Sequence, residues 1–189
     1  MEKVDKIEHI KIITNDVQKI FDQIKNLKTI LSKHTFKWIE GNNHSLSGTS
    51  KIITKTGKES WKNCNVIGNE IVPKDKIIKW DIKINKIDGD RSGVSIGIAN
   101  KNINLNISNY YQYWTYNCNG AMYGKLQNLK DEAFNSGDIM SWIVDQTQGT
   151  VEIKRNGNSL GVFNDLPKNE DLIPFVSIYY PGDQIELID

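Results

Sequence analysis

The side chains best able to do chemistry are few in this chain, and their spacing suits none of the familiar site types. There are three histidines, His9, His34 and His44, and two cysteines, Cys64 and Cys118. Structural zinc needs four nitrogen or sulfur ligands in short, recurring intervals, and these five residues make no such pattern. No strand-elbow motif frames a serine, so a Ser-His-Asp nucleophile has no local setting. Asp88 and Asp90 share the segment DGDRSG. Oxygen-rich loops of that kind can hold calcium, but turn formation and solvation account for two such acids better. Nothing fixes a carboxylate pair at the separation that glycoside hydrolysis requires. The chain is therefore expected to have no catalytic residues, no metal and no cofactor, and not to be an enzyme.

Aromatic residues are the richer material. Tyr110, Tyr111, Tyr113, Trp114 and Tyr116 crowd the run YYQYWTY. On a strand, Tyr111, Tyr113 and Thr115 share one face, and Tyr110, Trp114 and Tyr116 the other. One set belongs in a core. The other could present an aromatic surface to a peptide or a sugar. Trp61, Trp80 and Trp142 are expected in the core. Tyr111 and Tyr113 are the candidate binding residues on the aromatic strand.

Those residues need elements to hold them. The chain has 189 residues, 38% hydrophobic and 25% charged, with a formal net charge of +1. That suits a globular protein and supplies no global field to recruit nucleic acid or anionic lipid. No apolar run approaches the ~20 residues of a membrane helix. The start, MEKVDKIEHIKI, lacks a signal peptide's apolar core. With only two distant cysteines, both expected to be reduced and buried, the reading is a cytoplasmic protein.

Near the N-terminus, Ile10, Ile13, Val17, Ile20, Ile24, Leu27 and Leu31 recur at alternating intervals of three and four, a heptad seam on one helical face. Residues 1–34 are thus expected to form an amphipathic helix. Two readings stay open: the seam pairs copies of the chain, or it packs on the same chain's remaining domain. Ile12, Phe21 and Ile30 widen the apolar surface beyond the seam.

From Phe36 onward the period changes to short strands separated by turns. Ile77–Ile84 alternates, with Ile78, Trp80, Ile82 and Ile84 on one face. Val94–Ala99 forms a further run with Gly97 inside it. Between Gly137 and Gly161, an apolar run (Ile139–Val144) and a second strand (Val151–Lys154) are joined by DQTQG and turned back at Asn156-Gly157. Asn-Gly suits a type I′ turn, whose central residues both take positive φ. Asp138 and Asp145 are expected to organise turns. Many short strands with such punctuation predict an antiparallel sandwich over residues 35–189.

The order of these pieces resembles the SPRY domain family, the β-sandwich of many tripartite-motif proteins. The resemblance is carried by Trp61 with NVIGNEIV, KWDIKI with VSIGIA, YWTYNCNG, the Gly137–Gly161 block and LIPFVSIYYPGDQIELI. The chain departs where the family often has GVxLD, since MSWIVD places Ser141 and Trp142 there. The resemblance implies a mostly β, concanavalin-like two-sheet sandwich with one N-terminal helix. It also implies a non-enzymatic module that binds a peptide or protein through loops at one end. The segments it points to are Gly41–Ser50, Asp88–Gly93 and Asn100–Asn109, and within them the candidate binding residues are Asn43, Asp90 and Arg91, the last because its planar guanidinium could anchor a carboxylate. The alternative is a lectin-like sandwich that takes a glycan through an exposed tyrosine and Asn or Asp side chains.

Overall fold

The computed structural model describes residues 13–20, 31–39, 43–58, 65–87, 93–106, 113–123 and 132–188. Residues 13–20 are helical (α1), and the remainder is built from two sheets. The larger contains β2 (His44–Ser47), β3 (Ile52–Lys55), β5 (Ile77–Lys86), β9 (Ile139–Asp145), β10 (Thr150–Arg155), β11 (Asn158–Phe163) and β13 (Gln184–Ile188). Its order is β11-β10-β9-β5-β13-β3-β2, antiparallel throughout. The smaller sheet contains β4 (Asn65–Ile67), β6 (Val94–Asn100), β7 (Tyr113–Asn117), β8 (Met122–Tyr123) and β12 (Leu172–Ile178), in the order β4-β12-β6-β7-β8.

The period-2 patterns decide what lies between the sheets. Ile78, Trp80, Ile82 and Ile84 face inward from β5, each at most 1% exposed. They meet Val94, Ile96 and Ile98 of β6 and Val176 and Ile178 of β12 in one apolar cluster. Trp80 and Trp142 are direct cross-strand partners, and their rings stack at 6.4 Å and 9°. Phe163 packs on the far side of Trp142 at 6.0 Å. This explains the departure at MSWIVD: the large ring completes an aromatic stack across three strands. Its neighbour Ser141 points the other way and donates its hydroxyl to Asp81.

The N-terminal boundary differs from expectation. Leu31, expected as the last seam residue, lies in β1 (Leu31–Lys33), which pairs in parallel with Ile77–Lys79 of β5. β13 reaches along β5 only as far as Asp81. That leaves the first residues of β5 open on that side, and β1 fills the space. His34, Phe36 and Trp38 follow as alternate buried positions, so the chain is already in the sandwich at residue 31 rather than 35. The helical period could not be sustained where burying Phe36 and Trp38 rewards an extended chain.

Candidate interaction surface

The sandwich has two ends. At the upper end β5 gives way to β6, β3 stops, β9 starts and the β10–β11 turn closes. At the lower end β6 gives way to the segment before β7. Asn43, Ile87 and Gly93 lie at the upper end, and the segment after Asn100 leaves the other end of the same strand β6. The three expected segments therefore do not converge, and Gly41–Ser50 is itself divided by strand β2.

At the upper end, Asn43 has φ of 65°, the left-handed region. Its carbonyl accepts hydrogen bonds from the Thr56 N–H at 2.8 Å and the Gly57 N–H at 3.1 Å. A Cβ on Gly57 would lie 2.3 Å from the Asn43 Cβ, so glycine is what lets the two strand ends close. The segment bearing Asp90 and Arg91 is anchored on both sides, although residues 88–92 themselves lie outside the described residues. Before it, the Ile87 N–H donates to Ser136 Oγ at 2.8 Å. After it, the Gly93 carbonyl accepts from the Tyr179 N–H at 2.8 Å. Gly93 is pressed against the β12–β13 turn, where a Cβ would come within 2.5 Å of the Tyr180 ring. That turn is tied to β3 by Lys55 N–H to Asp183 O at 3.0 Å and Gly182 N–H to Lys55 O at 2.9 Å.

The β10–β11 turn joins the same end. Asn156 and Gly157 take φ of 51° and 82°, as a type I′ turn demands. Asn156 Oδ1 accepts from the Ile139 N–H at 2.8 Å, and its Nδ2 donates to Asp138 at 2.6 Å. Asp138 also accepts from the Asn135 N–H at 2.8 Å. Asp145, at the lower end, accepts from the Gln148 N–H at 3.0 Å. Both aspartates thus organise turns. The result is a rigid rim from which connecting segments project.

Tyr113 does not present an aromatic surface. It is 7% exposed and stacks on Phe175 at 5.2 Å and 14°. The two rings form a second apolar cluster on the outer face of the smaller sheet with Ala99 and Ile103, against which Ile67 and Leu105 pack. The segment after β6 covers the sheet here, and Leu105 O accepts from Asn65 Nδ2 at 3.0 Å. Higher on the same face, Asn65, Ser177, Ser95 and Asn117 are successive cross-strand partners, all buried. Tyr116 faces inward, its hydroxyl donating to Glu132 O at 2.6 Å. Tyr111 and Trp61 lie outside the described residues.

Cys118 is buried and accepts from the Val94 N–H at 3.5 Å; burial pushes its thiol up, away from the reactive thiolate. No cluster of three or more His, Cys, Asp or Glu side chains suited to a metal occurs among the described residues. Nor is any helix there long and apolar enough to cross a membrane.

Comparison with known proteins decides the family. The SPRY domain profile matches residues 77–188, more than half of the chain. The chain belongs to the SPRY domain family. Its fold is similar to the SPRY domain of human HERC1, with a TM-score of 0.68 and 20% identity, covering 82% of this chain and 98% of that one. The PSpry domain of TRIM65 gives 0.63 at 11% identity, covering 84% and 91%. The NHR1 domain of Drosophila melanogaster Neuralized gives 0.58 at 15%, covering 82% and 99%. No curated protein sequence matches the chain. SPRY homologues suggest a protein-interaction module.

Proposed function

We propose that this SPRY domain is a non-enzymatic module that binds a peptide or protein surface through the segments at its upper end, with its N-terminal helix joining copies of the chain. The observation that carries the reading is the contrast between the ends and the faces. The outer face of the smaller sheet is closed by Tyr113, Phe175 and Ile103, while Asn43 and the two flanks of the Asp90–Arg91 segment, Ile87 and Gly93, are held by hydrogen bonds at the upper end. The glycan alternative relied on an exposed tyrosine, and burial of Tyr113 removes one of its two candidates.

The helix has its own support. Ile13, Val17 and Ile20 fall on one face of α1 and are 56%, 57% and 54% exposed, so the described part of the seam does not pack on its own sandwich. Ile10, Ile24 and Leu27 lie outside the described residues. A peptide-display selection tests the binding reading. Ligands selected on the intact chain should bind at least tenfold more weakly after Arg91→Ala or Asp90→Ala, and unchanged after Gln148→Ala in the exposed β9–β10 turn at the lower end. Loss with Gln148→Ala alone would overturn it.

A further inference from the structure

Six large hydrophobic residues are exposed among the described residues: Ile13, Val17, Ile20, Ile39, Ile71 and Val162. Five of them fall in two patches. Three make the stripe of α1, spaced i, i+4, i+7 on a single face. Ile39 and Ile71 line a groove of about 410 Å³ beside the β4 edge at the lower end, floored by Ile67 and Ile173, with Glu70 and Lys101 in its wall. In one chain neither patch covers the other. Exposed apolar patches of this kind usually mark an interface.

We infer that this groove receives the α1 stripe of a second copy of the chain, making a reciprocal dimer. The inference rests on the reading that the helix joins copies, and it specifies what the helix meets. Charge favours the match. Asp16 borders the stripe and lies 4.0 Å from Lys19 beyond it, while the groove wall carries Glu70 and Lys101, the latter 4.0 Å from Asp171. These long, exposed pairs are weak enough to exchange for opposite charges across a contact. Simple helix–helix pairing would hide the stripe but leave Ile39 and Ile71 in water. It is also weakened at its end, because Leu31 is committed to β1. Helix-in-groove docking hides five of the six residues. Two-fold symmetry makes the contact twice and closes the assembly, so that no helix or groove is left to recruit a third copy. The duplication matters, since one short helix buries far less than the ~1,200–2,000 Å² of a stable interface.

Analytical ultracentrifugation of the full chain, with Val17→Asp and Ile71→Asp, tests this. Both positions are exposed, and near-UV circular dichroism verifies that each variant remains folded. The wild type is expected to be a dimer, and each variant should raise the dissociation constant at least tenfold. Mixing the two variants should restore part of the association, because Val17→Asp keeps an intact groove and Ile71→Asp an intact helix. If Val17→Asp dissociates the dimer and Ile71→Asp does not, the groove is wrong and helix–helix pairing stands. A wild-type monomer, or a dimer indifferent to both changes, overturns both the groove and the reading that the helix joins copies.

Discussion

At the scale of single residues, the fold depends on a few positions where size is fixed by what lies opposite. Gly97 sits in the centre of β6, where glycine ordinarily weakens a strand. A Cβ there would lie 2.0 Å from the Trp114 carbonyl oxygen and 2.8 Å from the Thr115 Cα. Both are backbone atoms of the paired strand, so relief needs β7 itself to move. Gly97→Ala is therefore expected to destabilise the domain by about 3 kcal/mol or more, at the upper end of ordinary overpacking costs. Chemical denaturation with unchanged midpoint would show that β7 gives way freely. Trp142 presents the opposite problem. Truncation removes the central ring of the Trp80–Trp142–Phe163 stack, and Trp142→Ala should cost about 3–5 kcal/mol. That is a large part of a typical domain's ~5–15 kcal/mol, and a denaturation midpoint close to wild type would contradict the stack's importance.

At the scale of elements, β1 is the piece whose attachment should respond to pH. His34 continues β1 through its N–H to Lys79 O at 2.8 Å. Its ring lies 5.4 Å from Phe36 and 5.8 Å from Trp80, and Nε2 has no hydrogen-bond partner among the described residues. Burial in this aromatic setting holds the imidazole below its ordinary value, aided by Lys76 and opposed by the carbonyl and carboxylate of Glu70. The folded state therefore binds fewer protons than the unfolded state. The associated stability is complete above about pH 6.5 and is lost as pH falls through the lowered folded value. Denaturation midpoints measured between pH 7.5 and 5 should drop more steeply for the wild type than for His34→Phe. Equal slopes would mean the ring is wet enough to protonate without cost.

The same region shows what could be read from sequence. Alternation in Ile77–Ile84 and the Asn156-Gly157 turn were legible because one buried face and one turn type each demand a specific residue pattern. Leu31 was not, because it satisfies a heptad as well as it satisfies a strand. The better signal was the alternation of His34, Phe36 and Trp38. The rim was only partly legible. Turn residues announce where segments leave the sheets, but which end each leaves from follows from strand direction and pairing. That is how Asn43, Ile87 and Gly93 share one end of the sandwich, while Tyr113 is buried against Phe175 on the outer face of the smaller sheet.

At the scale of the whole molecule, the question is where the self-sufficient domain begins, and the pairing of β1 with β5 moves that point to residue 31. A chain starting at residue 31 keeps β1, His34 and the edge-on packing of Phe36 against Trp38 at 5.0 Å. It loses α1 and with it the stripe proposed to join copies. It should therefore be a monomer that unfolds within a few degrees of the full chain, since the described part of α1 packs none of its exposed stripe on the sandwich. A chain starting at residue 39 should behave differently. It loses two core rings, each worth about 3–5 kcal/mol, the Trp38 bridge to Gly68, and the strand that covers the open flank of β5. That sum rivals the total stability of a typical domain, so the shorter chain should be largely unfolded. Calorimetry and light scattering on both truncations check the two halves separately. A folded chain from residue 39 would place the boundary inside the sandwich, and a dimer from residue 31 would remove α1 from the assembly.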